Sequence, residues 1–198
     1  DAFDKDQDGS KVEIEKDGTE SETITETDER GGVIDVADYS LYISPHDIPK
    51  AVLNNGEVTN DYKTHTERKD KEGNSDPSYG MDMVPERTKE NNKNKKLRIG
   101  TPIKSLTSGV VHCAKKGFVS IIDINGYYIQ YSHLDTTAVK TGDKVKVGGM
   151  IGGMGNRGTK DPHLHLQTKD RNYRHVDPVK YKRKFELIFK NNNKNKLK

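Results

Sequence analysis

From Gly100 onward the chain is punctuated as a succession of short strands. Candidates recur at about ten-residue spacing: Pro102–Leu106, Gly109–Cys113, Phe118–Ile124, Tyr127–His133, Lys144–Val147 and His163–Thr168. Gly- and Asp-rich turns separate them, and Asn125-Gly126 is a strong two-residue hairpin signal. No helix of ordinary length fits between these runs. The pattern predicts an all-β antiparallel core, in two packed layers or a flattened barrel. After it, Asp177-Pro178 supplies an N-cap followed by Pro at the first helical position. Tyr181, Phe185 and Ile188 recur at i, i+4 and i+7, predicting a short C-terminal helix packed on the sheet edge.

Before residue 100 the texture differs. Residues 1–30 carry twelve Asp/Glu and four Lys/Arg, and residues 180–198 carry eight Lys/Arg and one Glu, although the whole chain is only +3. With 33% charged and 30% hydrophobic residues, 198 residues are too polar for one core that uses them all. We read residues 1–55 as a small acidic, β-rich appendage, with Lys11–Glu15, Val33–Val36 and Tyr39–Ile43 as strands and 16–32 as linker or exposed edge. Residues 56–182 form the main domain, interrupted by a solvated, charged insertion at 86–98. Residues 183–198 are the end of the terminal helix and a basic Asn/Lys tail. That tail has no aromatic to stack a base, so no nucleic-acid function is read from it. No apolar run is long enough to span a membrane. The first residue is Asp and no leader follows, so a mature form or fragment is expected. The single Cys113 excludes an intrachain disulfide framework and a multi-cysteine zinc site.

Two motifs have metal-ligand spacing. Asp4, Asp6, Asp8 and Glu15 follow the order of a calcium loop. Lys11 stands where an apolar anchor belongs, and the flanks alternate like strands, so an acidic hairpin turn is the reading and calcium is not expected. Asp161-Pro162-His163-Leu164-His165-Leu166 is different. On a strand, residues i and i+2 share a face, so both imidazoles point one way and both leucines the other. A third histidine follows in Tyr131-Ser132-His133-Leu134, where alternation puts Tyr127, Ile129, Tyr131 and His133 on one face. His112 and Cys113 are read as a surface residue beside a small buried one, and His46 and His175 as solvated loop residues. The Gly148–Gly158 run lacks the ending of a phosphate loop and is read as tight turns beside a groove.

Taken in order, Gly100-Thr101-Pro102-Ile103, Ser108-Gly109-Val110-Val111, Tyr131-Ser132-His133-Leu134, Val139-Lys140-Thr141-Gly142-Asp143-Lys144-Val145, Gly148-Gly149-Met150-Ile151-Gly152, Pro162-His163-Leu164-His165-Leu166 and Val176-Asp177-Pro178 closely resemble the lysostaphin-like, LytM-type zinc metallopeptidase family over roughly residues 57–182. The resemblance implies a folded antiparallel sheet of the duplicated hybrid motif type, with a groove floored by zinc. It implies Asp82 and His165 as zinc ligands, His163 and His133 as the catalytic pair, and Tyr79 and Tyr131 in the substrate groove. The implied substrates are bacterial peptidoglycan peptides, and the implied location is outside the cytoplasm: periplasm, cell wall or secreted. In the family's His-x-Gly-x-Asp-like segment the first ligand is histidine, and here that position is Ser78. A serine hydroxyl is a poor zinc ligand. Three readings stay open: a third ligand from elsewhere, with His65 and Asp76 as candidates if 65–80 is a hairpin turning near Glu72-Gly73; weak zinc binding through Asp82 and His165 alone; or an inactive module that binds peptidoglycan or a protein partner. A place in a larger cell-envelope or injection assembly, joined through residues 1–55, is a further expectation.

Overall fold

The structure is a computed structural model that describes residues 42–184 in full and, before them, the backbone of three strands. Those strands, β1 (Val12–Lys16), β2 (Glu22–Thr27) and β3 (Val33–Asp35), form an antiparallel sheet of their own. β2 falls in the stretch expected to be linker or edge; its Thr23-Ile24-Thr25 run is rich in β-branched residues that suit a pleated sheet. Asp4, Asp6 and Asp8 lie outside the described residues, as do Phe185, Ile188 and the basic tail. Glu15 sits on β1 opposite Thr23.

The main body follows. Helix α1 (Ile48–Leu53) leads to β4 (Gly56–Asn60), helix α2 (Tyr62–Thr66) and β5 (Met81–Pro85). Helix α3 (Lys89–Lys93) and a 3₁₀ turn (Lys95–Arg98) precede β6 (Pro102–Lys104), β7 (Gly109–Lys115) and β8 (Phe118–Asp123). Then come β9 (Tyr128–Ser132), β10 (Leu134–Thr137), β11 (Lys144–Val145), β12 (Met150–Met154), β13 (Leu164–Lys169) and β14 (His175–Val176). A last helix, α4, occupies residues 178–184. Among the described residues the large sheet has the order β11-β7-β8-β9-β13-β5-β4, with β14 also on β13; the small one is β10-β12-β6, and every pairing is antiparallel. One hydrophobic cluster joins the two: Ile103, Leu134, Ile151 and Met154 from the small sheet meet Val119, Ile121, Ile129, Leu164 and Leu166 from the large one. This is the folded antiparallel sheet that the sequence predicts, closed by a short C-terminal helix. Asp177 caps α4 through Val179 N–H (2.9 Å), and Tyr181 is buried with its hydroxyl donating to Asp123 (2.9 Å).

Four expectations change. Ile48, Ala51, Val52 and Leu53 belong to the same core cluster, so residues 42–55 pack on the domain expected to begin at 56. The 86–98 stretch is not a bare solvated loop: Thr88 and Asn91 form a capping box on α3, Arg98 is buried, and Lys95 pairs with Asp161. The glycine run contains strand β12, where backbone packing demands glycine: a Cβ at Gly152 would lie 2.3 Å from the Thr136 carbonyl oxygen on β10. His175 is a strand residue stacked on Tyr79 at 4.0 Å and not solvated; His46 and His112 are exposed as expected, and Cys113 is half-buried.

Candidate metal centre

Strand register builds the centre. Leu164, His165 and Leu166 on β13 pair with Met83, Asp82 and Met81 on β5, so Asp82 and His165 are direct cross-strand neighbours. Alternation sends Leu164, Leu166, Met81 and Met83 into the core and turns the polar partners to the opposite face. On the other side of β13, His165 pairs with Ser132, the last residue of β9, and His133 follows at once.

His133 does not continue the alternation. Its φ is +65°, in the left-handed region, which turns its side chain away from the face of Tyr131. Its ring centre lies 4.7 Å from that of His163 and 5.8 Å from that of His165. Tyr131, expected in the groove, is instead fully buried, with its hydroxyl accepting from Leu106 N–H at 2.9 Å; burial pushes the phenol up to about 12. The reason is the same break at 133: Tyr131 keeps the core face and His133 leaves it. Tyr79 is half-buried beside the centre and stacks on His175.

His65 arrives from a separate element. Asp61 caps α2 by accepting from Thr64 N–H at 2.8 Å, and a hairpin-like ladder follows the helix. Ser78 N–H donates to the His65 carbonyl (3.0 Å), Asp76 N–H to Arg68, and Asp70 N–H to Asn74. The stretch is thus a hairpin turning at 70–73, with His65 opposite Ser78. The ladder brings the buried His65 ring to Asp82, with Nε2 3.1 Å from Oδ2. Asp76, the other candidate, turns outward to Arg68 at 2.9 Å.

Asp82 is the focus. His165 Nδ1 lies 2.7 Å from Oδ1, His163 Nε2 3.5 Å from Oδ1, and Asn60 Nδ2 donates to Oδ2 at 3.1 Å. Burial alone would raise its pKa; the contacts from His165 and Asn60, with His163 and His65 nearby, outweigh that and hold the carboxyl well below the usual carboxylate range. Burial lowers the pKa of both His65 and His133, favouring neutral rings.

The tautomers follow from main-chain carbonyls, which can only accept. The Tyr79 carbonyl lies 2.9 Å from His165 Nε2, that of Asp161 2.8 Å from His163 Nδ1, and that of Arg157 2.7 Å from His133 Nδ1. Each outer nitrogen therefore carries a proton, and the other ring nitrogen turns towards the centre. For His165 this leaves Nδ1 facing the Asp82 carboxylate at 2.7 Å. His65 is buried with neither ring nitrogen hydrogen-bonded among the described residues. Two imidazoles and a carboxylate thus converge on one point. His65, Asp82 and His165 offer ligand atoms within 4.8 Å of one another, and the close pairs at 2.7 and 3.1 Å compare with about 3.3 Å for neighbouring ligands of a tetrahedral zinc. The donor set of two imidazoles and a carboxylate fits zinc.

Asn60 and the carbonyls of Arg157 and Asp161 had no signal in the sequence. Gly80 does: with φ at +131°, a Cβ there would lie 2.9 Å from His165 Nε2 and 2.5 Å from the Leu166 carbonyl oxygen.

The sequence profile of peptidase family M23 matches residues 94–178. Lysostaphin of Staphylococcus simulans is 38% identical over 79 residues, 36% of this chain and 16% of that protein. Its catalytic domain, an antimicrobial peptidase, superposes with a TM-score of 0.50 at 26% identity, covering 66% of this chain and 95% of that one. Peptidoglycan DD-endopeptidase ShyC of Vibrio cholerae is 39% identical over 75 residues, 35% of this chain and 17% of that protein. A zinc-containing peptidase from Vibrio cholerae superposes with a TM-score of 0.52 at 25% identity, over 80% of this chain and 46% of that one. The chain thus spans under a fifth of these two curated relatives. Residues 94–178 thus carry the sequence signature of peptidase family M23, and the chain is similar in fold to the lysostaphin catalytic domain.

Proposed function

We propose that this domain is a metal-dependent endopeptidase that hydrolyses peptide bonds of bacterial peptidoglycan outside the cytoplasm. The metal is zinc, held by His65, Asp82 and His165. The observation that carries the reading is the convergence of two buried histidines on the Asp82 carboxylate, with ligand atoms within 4.8 Å of one another. The family supports the reaction class, and the named relatives, a peptidoglycan endopeptidase among them, support the substrate.

Zinc, when bound, supplies Lewis acidity and lowers the pKa of water to about 7. The chain's own groups do the rest. His163, its Nδ1–H fixed on the Asp161 carbonyl, directs the free Nε2 to the centre and serves as general base, taking a proton there and returning it to the leaving amine. His133, held the same way by Arg157, faces the oxyanion side of the scissile carbonyl. The Tyr79 carbonyl fixes His165 in the tautomer a ligand needs, and Asn60 holds the second oxygen of Asp82. Half-buried Tyr79, stacked on His175, forms a wall along which a peptide can lie.

The relocated ligand gives the test. His65→Ala should reduce zinc stoichiometry in equilibrium dialysis from about one to near zero, and the double change His65→Ala with Ser78→His should restore it. Unchanged zinc in His65→Ala would sink that ligand, and metal-free wild-type protein that still retains peptidoglycan would make the domain a binding module.

A further inference from the structure

The loop between β12 and β13 supports both proposed catalytic histidines. Its Arg157 carbonyl accepts from His133 Nδ1 and its Asp161 carbonyl from His163 Nδ1. The Asp161 carbonyl accepts a second bond, from Thr159 Oγ1 at 3.0 Å. A rotated peptide at 161 would lose both, and His163 would lose the partner that keeps its proton on Nδ1. The loop is tied at both ends. Arg157 reaches back to Asp135, with its guanidinium 3.3 Å from the carbonyl and 3.6 Å from the carboxylate. At the other end, Lys95 Nζ lies 2.5 Å from Asp161 Oδ2, across from the 3₁₀ turn of the charged stretch. Buried Arg98, on the same turn, adds positive charge near that carboxylate.

We infer that loop 155–162 is a strap that sets the tautomers of His163 and His133, and that Lys95 is a positioning residue holding it through Asp161. The inference rests on the function proposed above and extends it to the 86–98 stretch. Lys95 acts through the Asp161 main chain and not on substrate. Its reach is charge-assisted and half-exposed, so the effect is modest and weakens in salt.

The test compares Lys95→Met and Lys95→Arg with wild type. Lys95→Met should lower kcat on a soluble cross-linked muropeptide about five-fold with KM unchanged. Lys95→Arg should restore it. Imidazole ¹⁵N NMR of the same proteins, with zinc stoichiometry equal to wild type, should show His163 losing its uniform Nδ1–H tautomer in Lys95→Met. Wild-type kcat together with an unaltered His163 tautomer in Lys95→Met would overturn the inference, as would a kcat loss that merely tracks lost zinc. Hydrolysis that survives His163→Ala overturns the proposed function, and the strap's role in catalysis with it. Abolition of hydrolysis in His163→Ala while Lys95→Met stays fully active removes only the strap.

Discussion

Gly80 shows how one residue type constrains the centre. Its φ of +131° excludes most side chains, and the space for a Cβ is already taken by the His165 ring and the Leu166 carbonyl. Gly80→Ala should therefore push His165 off the Tyr79 carbonyl and weaken zinc binding about ten-fold or more, as losses of such orienting partners do, measurable by competition with a chromogenic chelator. The sequence contains Gly80 between Tyr79 and Asp82 in plain view. It does not contain the reason, which lies on another strand. His65 is a parallel case. Its residue type made it a candidate, but only the 65–78 ladder, with Ser78 as its backbone partner, turns it to Asp82. The position that lacks the family's histidine is thus the one that anchors the histidine beside the carboxylate.

At the scale of the element, β9 carries a division of labour that a period-two reading misassigns. Tyr131 fills the core and satisfies Leu106 N–H, while His133, beyond the strand end, faces the centre because its backbone is left-handed. Tyr131→Phe removes the acceptor and leaves a buried N–H unpaired. We expect a loss of about 1–3 kcal/mol in urea unfolding with zinc stoichiometry unchanged. A direct groove role for the phenol would instead alter hydrolysis and leave stability intact. Strands β7, β8, β9, β11 and β13 were legible because alternation and turn residues agree. β12 was not, since its glycines read as turns until β10 is seen pressing on them. α2 was hidden because five polar residues carry no period.

For the whole molecule, Asp123 ties the hairpin at 123–127 to the terminal helix. It accepts from Asn125 and Tyr127 N–H and from the Tyr181 hydroxyl. Burial raises its pKa to about 6, against its hydrogen bonds, from an ordinary value near 3.8. A carboxyl raised in the folded state binds its proton more tightly folded than unfolded. Its stabilising contribution is therefore complete below about pH 4 and is lost as pH rises through about 6. The swing is about 3 kcal/mol on that shift. Asp123→Asn should remove it: the difference in melting temperature between variant and wild type should grow in the variant's favour from pH 4 to 6.5, and a constant difference would assign the pH dependence to other groups.

The sequence by itself determined the all-β class and the C-terminal helix, and its family resemblance implied His133, Asp82, His163 and His165 as one set. Strand alternation, turn chemistry and ordered motifs are local properties, written residue by residue. The tertiary structure alone decided that Asp82 faces His165 in register, that His65 rather than Asp76 reaches them, and that Tyr131 belongs to the core. It also decided that a charged stretch around Lys95 braces the loop behind His163. Those outcomes depend on which strand lies beside which and on where a left-handed residue breaks the period, and both are settled only when the chain closes on its core.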